Sequence, residues 1–348
     1  MKHIKINDNI ISNETSPYVI AELSGNHNGK IENAIKLIEL AKAANVDAVK
    51  LQTYTADTIT INNKSSDFLI KDGPWKGRYL YDLYKEAHTP WEWHPKLFQV
   101  AKSLNLDCFS SPFDYTAVDF LEKLNTPAYK VASFECIDLP LLKYISSKNK
   151  PVIISTGMAN TREIHEIIRT VKSISNSGMA LLHCISAYPS KEEDYCLKTI
   201  EHLREETGCL VGLSDHTLGN LIACLSVAFK ACIIEKHITL ARSDGGPDAD
   251  FSLEPDEMKK LVDDVKKSYI SIGIPRKKLV KSEKSSFIFR RSLYVVKDIK
   301  KGEYLDQNNI KSIRPGYGIE PKYYHSVLGK KAVCLLKAGT ALNWKLFE

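Results

Sequence analysis

Two histidines follow two consecutive apolar strands that the sequence predicts in the second half of the chain. The strand Leu210–Leu213 leads to His216, and the strand Cys232–Glu235 leads to His237. The helical run Leu221–Phe229 between them predicts a parallel crossover, so the carboxyl ends of both strands should lie side by side. Two imidazoles that meet there, with carboxylates nearby, suit a divalent metal with open coordination positions. The alternative, two hydrogen-bonded core histidines, stays open.

Two lysines interrupt predicted apolar strands near the same end. Lys50 lies in Asp47–Gln52, and Lys130 lies in Ala128–Ala132. With neighbouring hydroxyl groups they could hold a phosphate and a carboxylate as point charges. One such lysine would usually extend to water, but two at the same end favour a functional interpretation. Glu22, directly after the first strand, is a candidate general base or metal partner, or an ordinary loop carboxylate.

Polar groups lie at or after the ends of nearly all the predicted strands, and a purely structural barrel would not need them. They are Ser110, Ser111, Ser133, Glu135, Ser155, Ser186, Tyr188, Ser214, Asp215 and Lys236.

Eight strand–helix units, predicted within residues 18–272, would position these groups. The strands are Tyr18–Ala21, Asp47–Gln52, Asp107–Ser110, Ala128–Ala132, Pro151–Ser155, Met179–Cys184, Leu210–Leu213 and Cys232–Glu235. Eight regular units over about 250 residues predict an α/β fold, a (β/α)8 TIM barrel, whose chemistry lies at the carboxyl ends of the strands. An open doubly wound sheet is the alternative, but no G-x-G-x-x-G follows the first strand, which argues against a dinucleotide fold.

Segments outside the regular units carry further predictions. Met1–Ser16 should form a short strand or hairpin, and Thr53–Pro90, with a helix at Tyr79–Ala87, is too long for a plain loop and should be functional. The predicted domains are a barrel at 1–275, a linker at 276–286 and a small β-rich domain at 287–348. Strands of that domain are expected at Ser292–Val296, Lys311–Arg314 and Ala332–Cys334. Because a domain of this size is marginal alone, it should dock on a barrel, its own or a partner's.

Composition excludes several classes of protein. The apolar fraction of 43% is globular, and the net charge of +6 is spread along the chain. Such a charge does not indicate nucleic-acid binding, but it fits an acidic small substrate. Eight cysteines without a C-x-x-C pair indicate buried thiols in a reducing compartment. Because Met1–Ile10 lacks a signal-peptide core and no apolar run approaches a membrane span, the expected location is the cytoplasm, without a membrane partner.

Several of these motifs, taken together and in order, resemble the sialic acid synthase family, whose members condense phosphoenolpyruvate with an amino sugar. They are Ala21–Gly29, Lys50–Gln52, Phe109–Phe113, Tyr129–Ser133, Ile154–Met158, Gly212–His216 and Ile234–His237. The tail resembles the C-terminal antifreeze-like (SAF) domain of that family, through Arg290–Tyr294, Asp298–Gly302 and Arg314–Gly318.

The resemblance implies a metal-dependent transferase that releases phosphate by C–O cleavage. Catalysis would fall to Glu22, Lys50 and Lys130. Phosphoenolpyruvate would be held by Lys50, Ser111, Lys130, Ser133, Ser155 and Ser214, and the sugar by Glu135, Tyr188, Asp248 and Arg314. A divalent cation, Mn2+ with Mg2+ or Co2+ as alternatives, would bind His216 and His237. Arg314 would come from the other subunit, in a domain-swapped homodimer.

The sequence leaves alternatives open for the sugar substrate and for the class of reaction. Trp75–His94, Leu23–Gly25 and Ala132–Glu135 resemble the branch of the family that uses 2,4-diacetamido-2,4,6-trideoxy-L-altrose. Gly246–Asp248 instead resembles the branches that make legionaminic and N-acetylneuraminic acid. Outside the family, a Schiff-base aldolase with Lys130 or Lys50 as the nucleophile and a non-catalytic sugar-binding protein remain possible.

Overall fold

The computed structural model describes residues 3–276 and 278–348. The chain forms two compact units: the first ends at Gly273, and the second begins at Ile274. Met1 and Lys2, part of the predicted leading hairpin, and Lys277, part of the predicted linker, lie outside the described residues. The other residues predicted as the linker belong to the second unit. In the part of the chain that the structure describes, no helix is long and apolar enough to cross a membrane.

The first unit opens with the antiparallel hairpin of β1 (His3–Ile6) and β2 (Asn9–Ser12), which agrees with the predicted hairpin. A closed barrel follows, with eight parallel strands counted over the described residues, in chain order and with the last strand beside the first. They are β3 (Tyr18–Glu22), β4 (Ala48–Thr53), β5 (Asp107–Pro112), β6 (Tyr129–Val131), β7 (Val152–Ser155), β8 (Met179–Cys184), β9 (Leu210–Asp215) and β10 (Ile233–His237). The predicted TIM barrel is confirmed.

The helices of the first unit lie in the connections that parallel strands require, except the last one, which follows the last barrel strand. They are α1 (Ile31–Ala43), α2 (Ala56–Ile59), α3 (Leu80–Ala87), α4 (His94–Ser103), α5 (Tyr115–Lys123), α6 (Leu139–Ser147), α7 (Thr161–Lys172), α8 (Lys198–Thr207), α9 (Leu221–Ala228) and α10 (Pro255–Ile272). Two of these starts illustrate the capping rules: Asn160 and Glu163 form a capping box before α7, and Pro255 occupies the first turn of α10.

The hairpin closes the amino end of the barrel. Its buried Ile4, Ile6 and Ile11 pack with the lower interior side chains, such as Ile20 and Phe109. Burying a side chain of this kind contributes about 1.5–3 kcal/mol. This apolar plug leaves the carboxyl end as the part of the interior where polar groups can collect.

The insertion after β4 contains α2 and α3, and α3 confirms the helix predicted at Tyr79–Ala87. The indole Nε1 of Trp75, between these helices, donates a hydrogen bond of 2.7 Å to the carbonyl of Pro247. Because Pro247 belongs to the connection that follows β10, this bond holds the insertion beside the carboxyl end of the barrel.

The second unit contains the antiparallel pair β11 (Ser292–Val295) and β12 (Ile310–Ile313), the short helix α11 (Tyr324–Val327) and its own apolar core. The prediction of a strand at Ala332–Cys334 is wrong. Ala332 donates its amide to Glu303 and Val333 donates to Leu346, so consecutive residues bond to different segments and form only an isolated bridge instead of a ladder.

Candidate active site at the carboxyl end of the barrel

The alternation of side chains along each strand builds a charged layer above the apolar plug. In β10, Ile233 packs in the lower interior, and Glu235 and His237 follow it on the same face, while Ile234 and Lys236 point outwards to the helices. The same alternation directs Glu22 on β3, Lys50 and Gln52 on β4, Ser111 on β5, Lys130 on β6 and Ser155 on β7 into the barrel.

Four of these side chains form a buried group, called here the charged quartet: Glu22, Lys50, Lys130 and Glu235. Lys50 Nζ lies 2.7 Å from Glu22 Oε2 and 3.7 Å from Glu235 Oε1, and Lys130 Nζ lies 3.6 Å from the same Glu235 oxygen. Gln52 Nε2 donates a 2.8 Å hydrogen bond to Glu22 Oε1. Two positive and two negative charges therefore face one another without bulk solvent between them.

Burial and charge oppose each other in the quartet. Burial raises the pKa of Glu22, with Lys50 opposing it. Burial would also raise the pKa of Glu235, but Lys130 and Lys50 outweigh it and the pKa is lowered. For Lys130, burial lowers the pKa; for Lys50, the two carboxylates outweigh burial and the pKa is raised. Of the two carboxyl groups, Glu22 is thus the one that holds a proton more readily and is the better candidate for proton exchange.

Hydroxyl groups surround the two ammonium groups. Lys50 Nζ donates to Ser111 Oγ over 3.3 Å, and Lys130 Nζ donates to Ser155 Oγ over 2.8 Å. Ser214 Oγ donates to Glu235 Oε1 over 3.4 Å. Such a set of cations and hydroxyl groups can bind a doubly acidic small molecule.

A tight cradle lies next to this group, at the end of β7. The amide of Gly157 donates to Ser133 Oγ over 3.2 Å. A Cβ atom at position 157 would come within 2.3 Å of Ser186 Oγ and 2.7 Å of Ser133 Oγ. Only glycine therefore leaves room for these two hydroxyl groups and for an oxygen of a ligand between them.

The imidazoles of His216 and His237 face each other, with ring centroids 5.4 Å apart. The Nδ1 of His216 lies 3.0 Å from the carbonyl of Ile185, which can only accept, so Nδ1 carries the proton and Nε2 is left as the coordinating nitrogen. Burial, with His216 opposite, lowers the pKa of His237 well below its usual value, which keeps this ring neutral. For His216, burial is outweighed by Cys184, and the pKa is raised.

A metal ion fits these two rings with most of its coordination sphere left to water or substrate. The Nδ1 atom of His237 is buried and has no hydrogen-bond partner among residues 3–276 and 278–348; Asp248 Oδ2 is 3.9 Å away. Over the same residues, no group of three or more His, Cys, Asp or Glu side chains forms a complete protein ligand set. Two imidazoles with an open remainder of the coordination sphere suit a catalytic ion rather than a structural one.

Aromatic rings wall the space above the imidazoles. The ring centroid of Tyr188 lies 4.6 Å from that of His216 and 5.5 Å from that of Trp75. Phe251 lies 5.0 Å from His237 and 5.3 Å from Tyr188. Such flat apolar faces beside polar groups are typical of pockets for small organic ligands.

Two carboxyl groups border this space. Burial raises the pKa of Glu135 to about 7, against a weaker opposing effect of Lys130, and its Oε2 has no hydrogen-bond partner in the described part of the chain. Burial likewise raises the pKa of Asp248. Both are candidates for contact with the hydroxyl or amide groups of a ligand.

Not every polar strand end reaches this cavity. Asp215 and Lys236 point away from the interior and pair with each other, 2.8 Å apart. Ser110 also points outwards, where its Oγ lies 2.6 Å from Thr53 Oγ1. Arg314 is an exposed residue of the second unit, so its predicted approach to the sugar stays a prediction.

Several residues of the site had no assigned role in the sequence analysis, among them Glu235, Gln52 and Cys184, whose Sγ lies 3.9 Å from His216 Nδ1. For Glu235 a signal existed, because period-two alternation through Ile233 and His237 places it on the interior face. The position of Gln52 on the interior face follows from the same alternation, because it lies two residues after Lys50 on β4. Alternation through Ala180 and Leu182 also places Cys184 on the interior face, but a cysteine in a buried strand does not by itself indicate a functional role.

A closed (β/α)8 barrel with charged groups at its carboxyl end defines the class of TIM-barrel enzymes. Within this class the chain belongs to the NeuB family: the sequence model of that family matches residues 37–277, and the model of the SAF domain matches residues 290–348. The chain is 44% identical to the pseudaminic acid synthase of Campylobacter jejuni over 95% of its own length and 96% of that protein. The pseudaminic acid synthase of Helicobacter pylori is also 44% identical, over 94% and 96%.

A solved structure is similar over most of its length. The N-acetylneuraminic acid (sialic acid) synthetase of Leptospira borgpetersenii, in complex with citrate, is 29% identical, with a TM-score of 0.73 over 82% of this chain and 95% of that one. The predicted resemblance to the sialic acid synthase family is therefore confirmed for both parts of the chain.

Proposed function

We propose that this protein is a pseudaminic acid synthase, a transferase that condenses phosphoenolpyruvate with 2,4-diacetamido-2,4,6-trideoxy-L-altrose and releases phosphate. The observation that carries the proposal is that the charged quartet and two facing imidazoles are buried together at the carboxyl end of the barrel. The 44% identity to pseudaminic acid synthases over nearly the whole chain supports this choice of sugar. Gly246–Asp248 keeps legionaminic or N-acetylneuraminic acid as the alternative product.

Phosphoenolpyruvate carries a phosphate and a carboxylate close together, and the proposed ligands match this pattern. Lys50 and Lys130 supply point charges, and hydroxyl groups supply hydrogen bonds: Ser111 and Ser155, which accept from the two lysines, Ser133, which accepts from Gly157, and Ser214, which donates to Glu235. An incoming dianion would compete with Glu235 for both ammonium groups, which are already directed at one point.

The sugar would occupy the aromatic-walled space, in contact with Glu135, Tyr188 and Asp248. We further propose that Arg314 completes this site from the second subunit of a domain-swapped homodimer. The marginal size of the C-terminal unit supports an arrangement in which it packs against a barrel.

His216 and His237 would hold the divalent cation, Mn2+ with Mg2+ or Co2+ as alternatives. When bound, such an ion supplies Lewis-acid polarisation of the sugar aldehyde. The chain's own groups bring carbon 3 of phosphoenolpyruvate against that aldehyde and stabilise the negative charge that persists on the phosphate. Water adds at carbon 2, the C–O bond to phosphate breaks, and Glu22 is proposed to exchange the proton of that water or of the sugar hydroxyl.

Phosphate release is the direct test. The protein is incubated with phosphoenolpyruvate, Mn2+ and a panel that contains the 2,4-diacetamido trideoxy sugars, N-acetylmannosamine and unmodified hexoses. We expect rapid release with the altrose derivative and slow or no release with the others. Faster release with N-acetylmannosamine or with the legionaminic acid precursor would replace the proposed sugar, and no release with any sugar would reject the synthase assignment.

The eight free thiols support the cytoplasm as the proposed place of this reaction.

A Schiff-base aldolase is the second candidate, because burial lowers the pKa of Lys130 and makes its amine a better nucleophile. Borohydride added with pyruvate would trap such an imine as a covalent adduct on Lys130. The synthase proposal predicts no adduct, together with phosphate release that depends on phosphoenolpyruvate.

A further inference from the structure

The tetrapeptide Ser214–Thr217, which carries His216 out of β9, is held by an unusually complete set of bonds. Much of this set comes from Tyr195, a fully buried residue between β8 and α8. Its hydroxyl accepts the amide of His216 over 2.8 Å and the hydroxyl of Ser190 over 3.1 Å, and donates to the carbonyl of Ser214 over 3.3 Å. One phenol oxygen thus uses its donor and both acceptor positions on this segment and its neighbour.

A second restraint lies on the outer face of the same strands. Lys236 and Asp215 are paired in register on β10 and β9, and neither side chain is exposed. Lys236 Nζ donates to Asp215 Oδ2 over 2.8 Å and to the carbonyl of Thr217 over 2.5 Å. Asp215 Oδ1 accepts the amide and the hydroxyl of Thr217, over 2.9 and 2.8 Å. The residues before and after His216 are therefore tied to the residue before His237.

Neither Tyr195 nor Lys236 lies in the reaction cavity. The phenol of Tyr195 packs beneath the strand end, and the backbone carbonyl of this residue lies 2.5 Å from His183 Nε2. The side chain of Lys236 points to the helices. A buried lysine and a buried tyrosine hydroxyl are costly to desolvate, so each requires the bonds described. Both sets of bonds act on the same feature, the position of the His216 imidazole relative to the imidazole of His237.

We propose that Tyr195 and the Asp215–Lys236 ion pair are positioning residues that hold His216 opposite His237 in the geometry required for the shared cation. This inference rests on the proposed function. Loss of either restraint frees the segment after β9 while leaving the lysines that bind phosphoenolpyruvate in place, because those lie on β4 and β6. Groups that orient the ligands of a metal typically change its affinity by 10–100-fold.

Tyr195→Phe is the first test, since it keeps the packing and removes only the hydroxyl. The affinity for Mn2+ alone is measured by electron paramagnetic resonance, and phosphoenolpyruvate binding is measured by calorimetry. We expect the dissociation constant for Mn2+ to rise roughly tenfold or more, with phosphoenolpyruvate affinity within about twofold of the wild type. Turnover should fall through kcat rather than through the KM for phosphoenolpyruvate.

Tyr18→Phe is the matched control. Tyr18 is also buried, and its hydroxyl donates to Asp107 over 2.6 Å at the opposite end of the barrel. Both variants remove one buried hydroxyl group with its hydrogen bonds, three to neutral groups for Tyr195 and one to a carboxylate for Tyr18, so thermal unfolding of each variant is measured beside its Mn2+ affinity. Tyr18→Phe should bind Mn2+ like the wild type; equal weakening in both variants would make the effect a general loss of stability and overturn the proposal.

The ion pair is tested with the double variant Asp215→Asn/Lys236→Met, because Lys236→Met alone leaves a buried uncompensated carboxylate. We expect the double variant to fold, as judged by its thermal unfolding, and to bind Mn2+ more weakly than the wild type. Unchanged Mn2+ affinity in this variant and in Tyr195→Phe would overturn the inference while leaving the proposed function intact. A wild-type protein that binds no Mn2+ would instead reject the metal assignment and the inference with it.

Discussion

Glu22 and Lys50 face each other across adjacent strands of the barrel, with Oε2 2.7 Å from Nζ. Burial raises the pKa of Glu22, and Lys50 opposes that effect, so the proton balance of this carboxyl depends on what else occupies the cavity. A bound dianion that attracts Lys50 away would favour protonation of Glu22. Under the proposed function, the pair would couple anion binding to the availability of a proton.

Glu22→Gln should separate binding from chemistry. The amide keeps the shape and the hydrogen bond to Gln52 but cannot exchange a proton. We expect kcat to fall by roughly 10²–10⁴-fold, with the affinities for phosphoenolpyruvate and Mn2+ nearly unchanged. Rapid-quench phosphate release and direct binding measurements test this. Turnover near the wild-type value would remove Glu22 from the mechanism.

Lys130→Met should weaken the anion site. The ammonium group shares Glu235 with Lys50 and donates to Ser155, so its loss removes one of two charges that would meet the phosphate or carboxylate. We expect kcat/KM for phosphoenolpyruvate to fall by roughly 10²-fold. Lys148→Met, which removes a surface pair with Asp119, is the control and should leave kcat/KM unchanged. Steady-state kinetics with each substrate varied in turn measure this effect. A loss confined to the KM for the sugar would contradict the prediction.

Much of this arrangement could be predicted because strand periodicity and barrel geometry act locally. Lys50, Lys130, His216 and His237 each interrupt or end an apolar strand, and their convergence follows once eight units close into a barrel. The direction of Lys236 follows from the same alternation, but its partner Asp215 becomes evident only from the register of two strands.

Other contacts depend on loops whose paths no local pattern specifies. Tyr195 reaches His216 from the connection after β8, and Trp75 reaches Pro247 from an insertion far away in sequence. The strand predicted at Ala332–Cys334 failed for a similar reason, because β propensity does not reveal whether one partner segment is available along its whole length.

Gly157→Ala should fill the cradle between Ser133 and Ser186. The added Cβ would lie 2.3 Å from Ser186 Oγ and 2.7 Å from Ser133 Oγ, so both hydroxyl groups must move. We expect the KM for phosphoenolpyruvate to rise by about tenfold, equivalent to ~1.4 kcal/mol. Gly219→Ala is no suitable control because its φ of 73° adds strain, whereas Ala159→Gly changes a nearby side chain without filling the cradle. An unchanged KM in Gly157→Ala would exclude Ser133 as a ligand.

Glu135→Gln should change how stability depends on pH. Because burial raises the pKa of Glu135 to about 7, the folded protein favours the protonated carboxyl. Its stabilising contribution is complete below the ordinary value near 4.5 and is lost as pH rises through 7. The neutral amide has no such loss, so the variant should gain about 2 kcal/mol relative to the wild type between pH 5 and pH 8.5.

Thermal unfolding at several pH values measures that gain. Glu122→Gln is a control of opposite sign, because bonds from Lys150 and Tyr129 outweigh burial and lower the pKa of Glu122. The wild-type carboxylate there stabilises above its ordinary pKa, so this variant should lose stability at pH 8.5. A pH-independent difference between Glu135→Gln and the wild type would contradict the buried, proton-retaining carboxyl.

His216→Ala/His237→Ala should abolish the response to divalent cations. The two rings face each other 5.4 Å apart, and over the described residues no group of three or more His, Cys, Asp or Glu side chains could hold the ion instead. We expect Mn2+ binding to fall below detection and phosphate release to become insensitive to both added Mn2+ and chelator. His202→Ala, which removes an exposed imidazole of α8, is the control and should keep the full response. If the double variant still showed Mn2+-stimulated release with the wild-type concentration dependence, the cation would have to bind elsewhere, and the facing imidazoles would not be its ligands.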